Sequence, residues 1–300
     1  YTLDRWKSSD GSGGSPARTT TQETFSLGQT DVPKATYFLK HNQTAASTNG
    51  NAALNQRVED VTRFDNVTVT LSFYAKADAA LTIDVQLIQN FGSGGSPSSN
   101  VTVSQTGISV GTSFQKYTVT KDLASLSGKT LGTDGRHTSY LQVQFDFDDT
   151  STFTFEVAQV QLEFGSVATE FEHQKYCDVY QDCQRYYYKS GDNTNEWFPG
   201  TATNADKGPY YALAANDLED RAYPALQWPV QMRAAPSVTF YPGRADATAT
   251  ADRIVRYNDT ALVTFTTAPT PYSNGLSYHF QGTSADSPFY AYQIVADAEL

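Results

Sequence analysis

Histidine, carboxylate and aromatic side chains are the residues of this chain that could do chemistry, and their spacing decides which chemistry that is. The four histidines, His41, His137, His173 and His279, form no HxH or HExxH pair, and none sits beside a cysteine pair, so no metal set is readable from them. Each is expected to be a lone polar or surface histidine. GxSxG, GxxxxGK(S/T) and GxGxxG patterns are absent, which removes the usual support for hydrolase, kinase and dinucleotide chemistry. Carboxylates remain, because two of them in a cleft suffice for glycoside cleavage. Asp146 and Asp148 share a strand face about 7 Å apart. That face also carries Gln142 and Gln144, so a solvated polar face is the better expectation, and no catalytic residue is assigned. The chain is read as a non-enzyme.

Two binding chemistries are left. Sandwich domains of this size can hold a structural Ca²⁺ on oxygen ligands near the chain ends, and Asp4 and Glu163 are the candidates by position. No other cofactor is expected. Sugar faces are apolar and their rims bond amides and carboxylates, so glycan binding asks for flat aromatic rings with polar neighbours. Trp197, in the polar run SGDNTNEWFPG, is the first candidate, with Tyr210 and Tyr211 further along the chain; the run Tyr186-Tyr187-Tyr188 offers further rings. Trp6 and Trp228 are assigned to core packing.

Composition bounds the rest. The 300 residues carry a formal net charge of −11, which argues against a surface that neutralises phosphates or docks on anionic lipid. Nucleic acid and membrane are excluded as partners, and no stretch approaches the roughly 18 apolar residues of a membrane span. Residue 1 is Tyr, without a basic-then-apolar leader, as expected of a processed chain or part of a longer one. Two cysteines, Cys177 and Cys183, make no disulfide framework; on a helix they would point about 240° apart. Both are expected reduced, with an intersubunit link as the alternative. The N-x-T sequons at Asn42, Asn66, Asn100 and Asn258 are read as chance in a chain rich in Asn and Thr.

The elements that must position these residues are strands. In 67–76, Val67, Val69, Leu71, Phe73 and Ala75 alternate with Thr68, Thr70, Ser72, Tyr74 and Lys76, the period of a strand with one face covered. Residues 81–87 and 141–148 repeat the pattern, and weaker strands are expected at 37–43, 53–59, 101–110 and 114–120. With 153–163 this makes eight or nine strands, jelly-roll size. Apolar parity shifts along the last strand, so a bulge is expected near Ala158 and Gln159. The hexapeptide GSGGSP at 11–16 and 92–97 is read twice as a flexible loop. Between Glu172 and Tyr188, apolar residues at Tyr176, Val179, Tyr180, Cys183 and Tyr187 predict one amphipathic helix of about four turns whose stripe meets identical chains, the alternative being that it docks on its own jelly roll. Short strands follow at 210–215, 222–230, 238–241, 253–257, 261–266, 276–280 and 289–295. The fold class is therefore mainly β: a jelly-roll sandwich at 1–168, a connecting helix at 169–190 and a smaller β domain at 191–300.

Several segments together resemble a module of tailed-bacteriophage fibre and spike proteins. They are YTLDRW (1–6), QRVEDVTRFDNVTVTLSFYAKAD (56–78), SGKTLGTDG (127–135), VAQVQLEFGSVATEFEHQKY (157–176) with CQRYYYK (183–189), WPVQMRAAPSVTFY (228–241) and ADAEL (296–300). The sequence departs from that pattern at Glu170, where the module more often has Pro, and at Phe164, where an acid is commoner. The resemblance implies a carbohydrate-binding-module-like jelly roll, a helix signed by Cys183, Gln184, Arg185 and Tyr186, and a small C-terminal β domain. It further implies a homotrimer on the virion exterior, in tail or head, that meets other virion proteins and host-surface polysaccharide. The alternatives are a carbohydrate-binding module of a secreted glycan-active enzyme and a capsule depolymerase.

Overall fold

Alternating side chains become a two-layer sandwich when each strand turns its apolar row toward a facing sheet. A computed structural model describes residues 5–9, 17–46, 52–147, 151–190, 221–222, 225–242, 253–256, 262–264, 267–281 and 290–299. The chain divides into two compact units, 1–173 and 174–299. The first unit holds β1 (Lys7–Ser9), β2 (Arg18–Thr24), β3 (Tyr37–Gln43), β4 (Ala52–Glu59), β5 (Thr68–Ala77), β6 (Leu81–Asn90), β7 (Val101–Val110), β8 (Gln115–Asp122), β9 (Tyr140–Phe147) and β10 (Phe153–Phe164). They form two five-stranded antiparallel sheets, ordered β1-β4-β9-β6-β7 and β2-β3-β10-β5-β8. The chain crosses from one sheet to the other at most of its turns, giving a jelly-roll sandwich in a mainly β protein. β1 and β2 were not expected; the run KSS and the Thr-rich β2 carry no apolar alternation and are strands only because β4 and β3 offer them edges.

The core lies between the sheets. Phe73, Phe145 and Phe155 are fully buried there with Leu54, Leu71, Ile83 and Leu87. Phe145 sits at its centre, its ring 4.9 Å edge-on from Phe73, 5.5 Å from Phe155 and 5.7 Å in a stack with Trp6. Trp6 is thus core, as its type and place suggested. His41 is not the surface group expected of it. It occupies the inward row of β3, is fully buried, stacks 5.6 Å from Phe147 and shares a 2.9 Å hydrogen bond between its Nδ1 and Thr20 Oγ1. His137 and His173 are exposed.

The bulge falls where the parity shift placed it. The β10–β5 register slips between Ala158 and Gln161, and Gln159 takes φ 49°, a left-handed conformation rare for a residue with a Cβ. Its Nε2 donates to the Pro33 carbonyl at 2.5 Å, which fixes the slip. Beyond it Val160 and Leu162 turn against the core. Residues 165–173 then fold back along β10: Glu163 accepts from Thr169 N at 3.1 Å and Thr169 Oγ1 at 2.5 Å, and Glu172 N donates to Gln161 Oε1 at 2.8 Å. Bonds from Thr169 and then Gln161 hold the Glu163 carboxyl below the ordinary carboxylate range. A depressed carboxylate contributes stability above its unfolded pKa and loses it as pH falls through the folded value. The strap should therefore stay closed through mildly acidic pH and open below it. Carboxyl NMR titration should give Glu163 a midpoint below the ordinary glutamate value, restored toward that value in Thr169→Ala.

The second GSGGSP run is not the flexible loop expected of it; the first lies outside the described residues. Gly132 N donates to Phe91 O at 2.8 Å, Thr133 N to Gly94 O at 3.2 Å, Asp134 N to Ser93 O at 3.1 Å and Ser98 N to Thr130 O at 3.0 Å. The glycines serve this fit. A Cβ on Gly132 would lie 2.0 Å from the Ser93 carbonyl oxygen. Gly132→Ala should therefore cost about 1–3 kcal/mol by overpacking, seen as a lower denaturation midpoint at unchanged m-value.

In the second unit, α1 (Tyr176–Gln184) precedes β11 (Tyr187–Lys189), β12 (Arg221–Ala222), β13 (Ala225–Gln227), β14 (Ser237–Pro242), β15 (Arg253–Arg256), β16 (Leu262–Thr264), β17 (Thr267–Tyr272), β18 (Gly275–Gln281) and β19 (Tyr290–Asp297). β19 pairs β11, β14 and β15, while β18 pairs β12, β13 and β17. The expected strand at 210–215 lies outside the described residues. α1 is shorter than the four turns expected. Residues 172–175 lie before it in non-helical backbone, and after Arg185 the aromatic run becomes strand β11 on β19, where β-propensity and sheet pairing outweigh the helical stripe. Trp228, Met232, Phe240, Leu276, Ile294 and Ala296 make this unit's core. Trp228 donates Nε1 to the Tyr272 carbonyl at 2.9 Å, the satisfied core role expected of it.

Candidate functional site

The outward rows of the β1-β4-β9-β6-β7 sheet are polar, and the registers align them across strands. Lys7 faces Asn55, Asn55 faces Gln144, Gln144 faces Gln86 and Gln86 faces Ser104. One step along, Arg57, Gln142 and Ile88 make the next row, and Glu59, Tyr140 and Asn90 the one after. These side chains bond to one another along and across the strands. Arg57 Nε donates to Gln142 Oε1 at 3.0 Å, Gln142 Nε2 to Gln144 Oε1 at 2.8 Å, Gln144 Nε2 to Gln86 Oε1 at 3.4 Å and Gln86 Nε2 to Asp146 Oδ2 at 2.9 Å. The Arg57 guanidinium carbon lies 4.3 Å above the Tyr140 ring, within cation–π range.

This is not an ordinary wet face. Asn55 is 2% exposed and Gln142 9% exposed although both point away from the core. Asn55 Nδ2 donates to Ser9 Oγ at 2.9 Å, while its Oδ1 has no hydrogen-bond partner; an unsatisfied buried acceptor costs about 1–3 kcal/mol. Burial, opposed by the Arg57 charge, raises the Tyr140 phenol above its ordinary range. Burial and then Arg57 lower the Lys7 ammonium. The arrangement is a fixed set of amide donors and acceptors around one cation-capped aromatic ring. Such a set can bond hydroxyl-rich, uncharged groups in defined directions.

Asp146 keeps its outward place on β9. The sheet sets it directly opposite Asp84, whose Oδ1 accepts from Gly107 N at 2.8 Å; Asp148 lies outside the described residues. So do Trp197, Tyr210 and Tyr211, the rings first considered for glycan, and Asp4, half of the calcium pair. The Tyr186-Tyr187-Tyr188 run is no shared platform: Tyr186 is buried, Tyr188 lies 5.6 Å from Trp228, and Tyr187 is exposed. Among the described residues, no group of three or more His, Cys, Asp or Glu is placed to hold a metal. No described helix is long and apolar enough to cross a membrane.

Asn55, Arg57, Gln86 and Tyr140 were missed by sequence reasoning. They come from strands far apart in the chain, and only the order β4-β9-β6 brings them together. One signal was available: the outward row of β9 reads Tyr, Gln, Gln, Asp and that of β6 includes Gln86 and Asn90, whereas a merely solvated face would be filled with Lys, Glu and Thr.

Comparison with protein-family models and with curated proteins gives no match. Among solved structures, the chain is similar to the enzymatically active domain of tailspike protein 4 of bacteriophage CBA120, at 14% identity and TM-score 0.35 over 54% of this chain. The match spans 19% of the tailspike chain. A family 30 carbohydrate-binding module matches at 12% identity and TM-score 0.36, covering 55% of this chain and 94% of its own. The CBM22-1 xylan-binding domain of Paenibacillus barcinonensis Xyn10C matches at 12% identity and TM-score 0.34, covering 56% and 90%. At these scores the functional reading is left to the site itself.

Proposed function

We propose that this chain is a non-enzymatic surface protein of a tailed-phage particle, a fibre or spike subunit, that binds host-surface glycan on the outer face of the β1-β4-β9-β6-β7 sheet. The interlocked amides capped by Arg57 and Tyr140 carry the glycan reading, because fixed neutral donors and acceptors beside an aromatic ring suit hydroxyl groups on an apolar sugar ring. The virion reading is supported by the sequence segments that resemble fibre and spike modules. The direct test is retention of the whole protein on immobilised host polysaccharide; absence of retention across the host's capsule, lipopolysaccharide and wall glycans overturns the reading.

The assembly is a homotrimer built on α1. Its stripe is open: Tyr176 is 82% and Tyr180 50% exposed, their rings stacked at 6.0 Å, and no residue of the nine-residue helix is buried. So short a helix is marginal without a packed face, and Tyr176, Val179, Tyr180, Cys183 and Tyr187 are the residues that copies would cover. Mass photometry should give three chains for the wild type and one for Tyr176→Ser with Tyr180→Ser. A monomeric wild type would favour instead a carbohydrate-binding module of a secreted enzyme.

A capsule depolymerase is the second reading, and the opposed pair Asp84 and Asp146 is the observation that favours it. A retaining mechanism would ask for these two carboxyl groups about 5–5.5 Å apart. Release of reducing sugar from host capsule, abolished by Asp146→Asn, would establish it over the binding role.

A further inference from the structure

A cleft of about 270 Å³ opens at one edge of the sandwich, away from the amide face, and it is lined by no charged side chain. Trp6 and Val157, both buried, lie in its wall, Tyr37, 55% exposed, stands at its mouth, and Phe171 of the strap contributes a further ring. Three amides enter this apolar surround: Gln22, Gln56 and Gln159. Gln56 shares the inward row of Ala52, Leu54 and Val58 and pairs with Val143, while Gln22 stands exposed at the edge of a row that continues through Leu39 and Val157. Gln159 is the left-handed residue of the β10 bulge, with its amide fixed on Pro33. Bulges re-aim side chains at functional sites, and this one turns a third amide to a cleft wall where strict alternation would not.

We propose that this cleft binds a single neutral sugar ring, as a second carbohydrate site independent of the sheet face. The volume of about 270 Å³ lies just below the roughly 300–1,000 Å³ of drug-sized pockets, so it admits one ring and not a chain. The uncharged lining disfavours an acidic sugar or a phosphate, which would lose hydration without gaining a counter-charge. The amides match ring hydroxyls as donors and acceptors, and the exposed Tyr37 ring matches the apolar face of the sugar.

The test uses the full chain, ¹⁵N-labelled, titrated with glucose, galactose, mannose and N-acetylglucosamine. Saturable shifts should appear at Gln22, Gln56 and Gln159 with at least one of these sugars. Tyr37→Ala and Gln22→Leu alter exposed positions and should each weaken that binding at least tenfold at unchanged melting temperature, while Gln142→Leu on the sheet face leaves it intact. No saturable shift with any of the four sugars overturns the proposal. Shifts confined to the sheet face and lost in Gln142→Leu overturn it too, while leaving the glycan role of that face standing. Retention on polysaccharide lost in Gln142→Leu, with cleft shifts preserved, would support both sites separately.

Discussion

Phe145→Ala should lower the unfolding free energy of the first unit by about 3–5 kcal/mol, the range for deleting a buried Phe ring. The ring meets Phe73, Phe155 and Trp6 at once. Those partners come from β5, β10 and the segment before β1, so both sheets lose their common contact and the cavity cannot close by the shift of one side chain. Native stabilities are about 5–15 kcal/mol in all. The variant should therefore show a much lower denaturant midpoint and ANS binding under conditions where the wild type binds none. Phe145→Leu, which refills most of the space, should recover more than half of the loss. An unfolding free energy within about 1 kcal/mol of wild type in Phe145→Ala would mean that the inter-sheet core is not where the stability lies.

Arg57→Ala should reduce affinity for host glycan about tenfold to hundredfold, equivalent to roughly 1.5–3 kcal/mol for a charge-assisted hydrogen bond, at about 1.4 kcal/mol per tenfold. The guanidinium does two things on the sheet face. Its Nε fixes the Gln142 amide, from which the chain of bonds runs through Gln144 and Gln86 to Asp146, and its plane covers the Tyr140 ring. Losing it frees the first amide to rotate and uncaps the aromatic surface, so ligand hydroxyls would have to order groups that are now held in advance. Arg57→Lys keeps the charge but not the fork-shaped donor set and should recover little. Surface salt bridges and caps contribute modestly to stability, so the melting temperature should move by only a few degrees. Isothermal titration with purified host polysaccharide separates the two effects.

Much of the sandwich was legible because burial leaves a period of two in the sequence. The rows of β5, β6 and β9 predicted both their spans and their inner faces, and the broken parity of 153–164 predicted the bulge. β1 and β2 were illegible for the complementary reason: edge strands with polar rows are made by pairing, not by composition. His41, expected as a lone polar or surface histidine, is lone but buried, because the facing of its row is set by the stack on Phe147 and not by its own window of sequence. The helix was overextended because Tyr187 continues the three-and-four spacing of Tyr176, Val179, Tyr180 and Cys183, while its backbone bonds are taken by β19. The site shows the deepest difference. Gln142, Gln144 and Asp146 were noticed on one strand, but a binding face is a property of neighbouring strands, and strand order is not written in any local window.

The role of the sheet face is tested most directly by following the side-chain amide resonances of Asn55, Gln86, Gln142 and Gln144 while the ¹⁵N-labelled protein is titrated with host-surface oligosaccharide. Glycan seated across β4, β9 and β6 should shift these four signals together along one saturation curve, with the Arg57 Nε resonance following them. Shifts absent from this group while the oligosaccharide binds elsewhere on the molecule would contradict the assignment of the face.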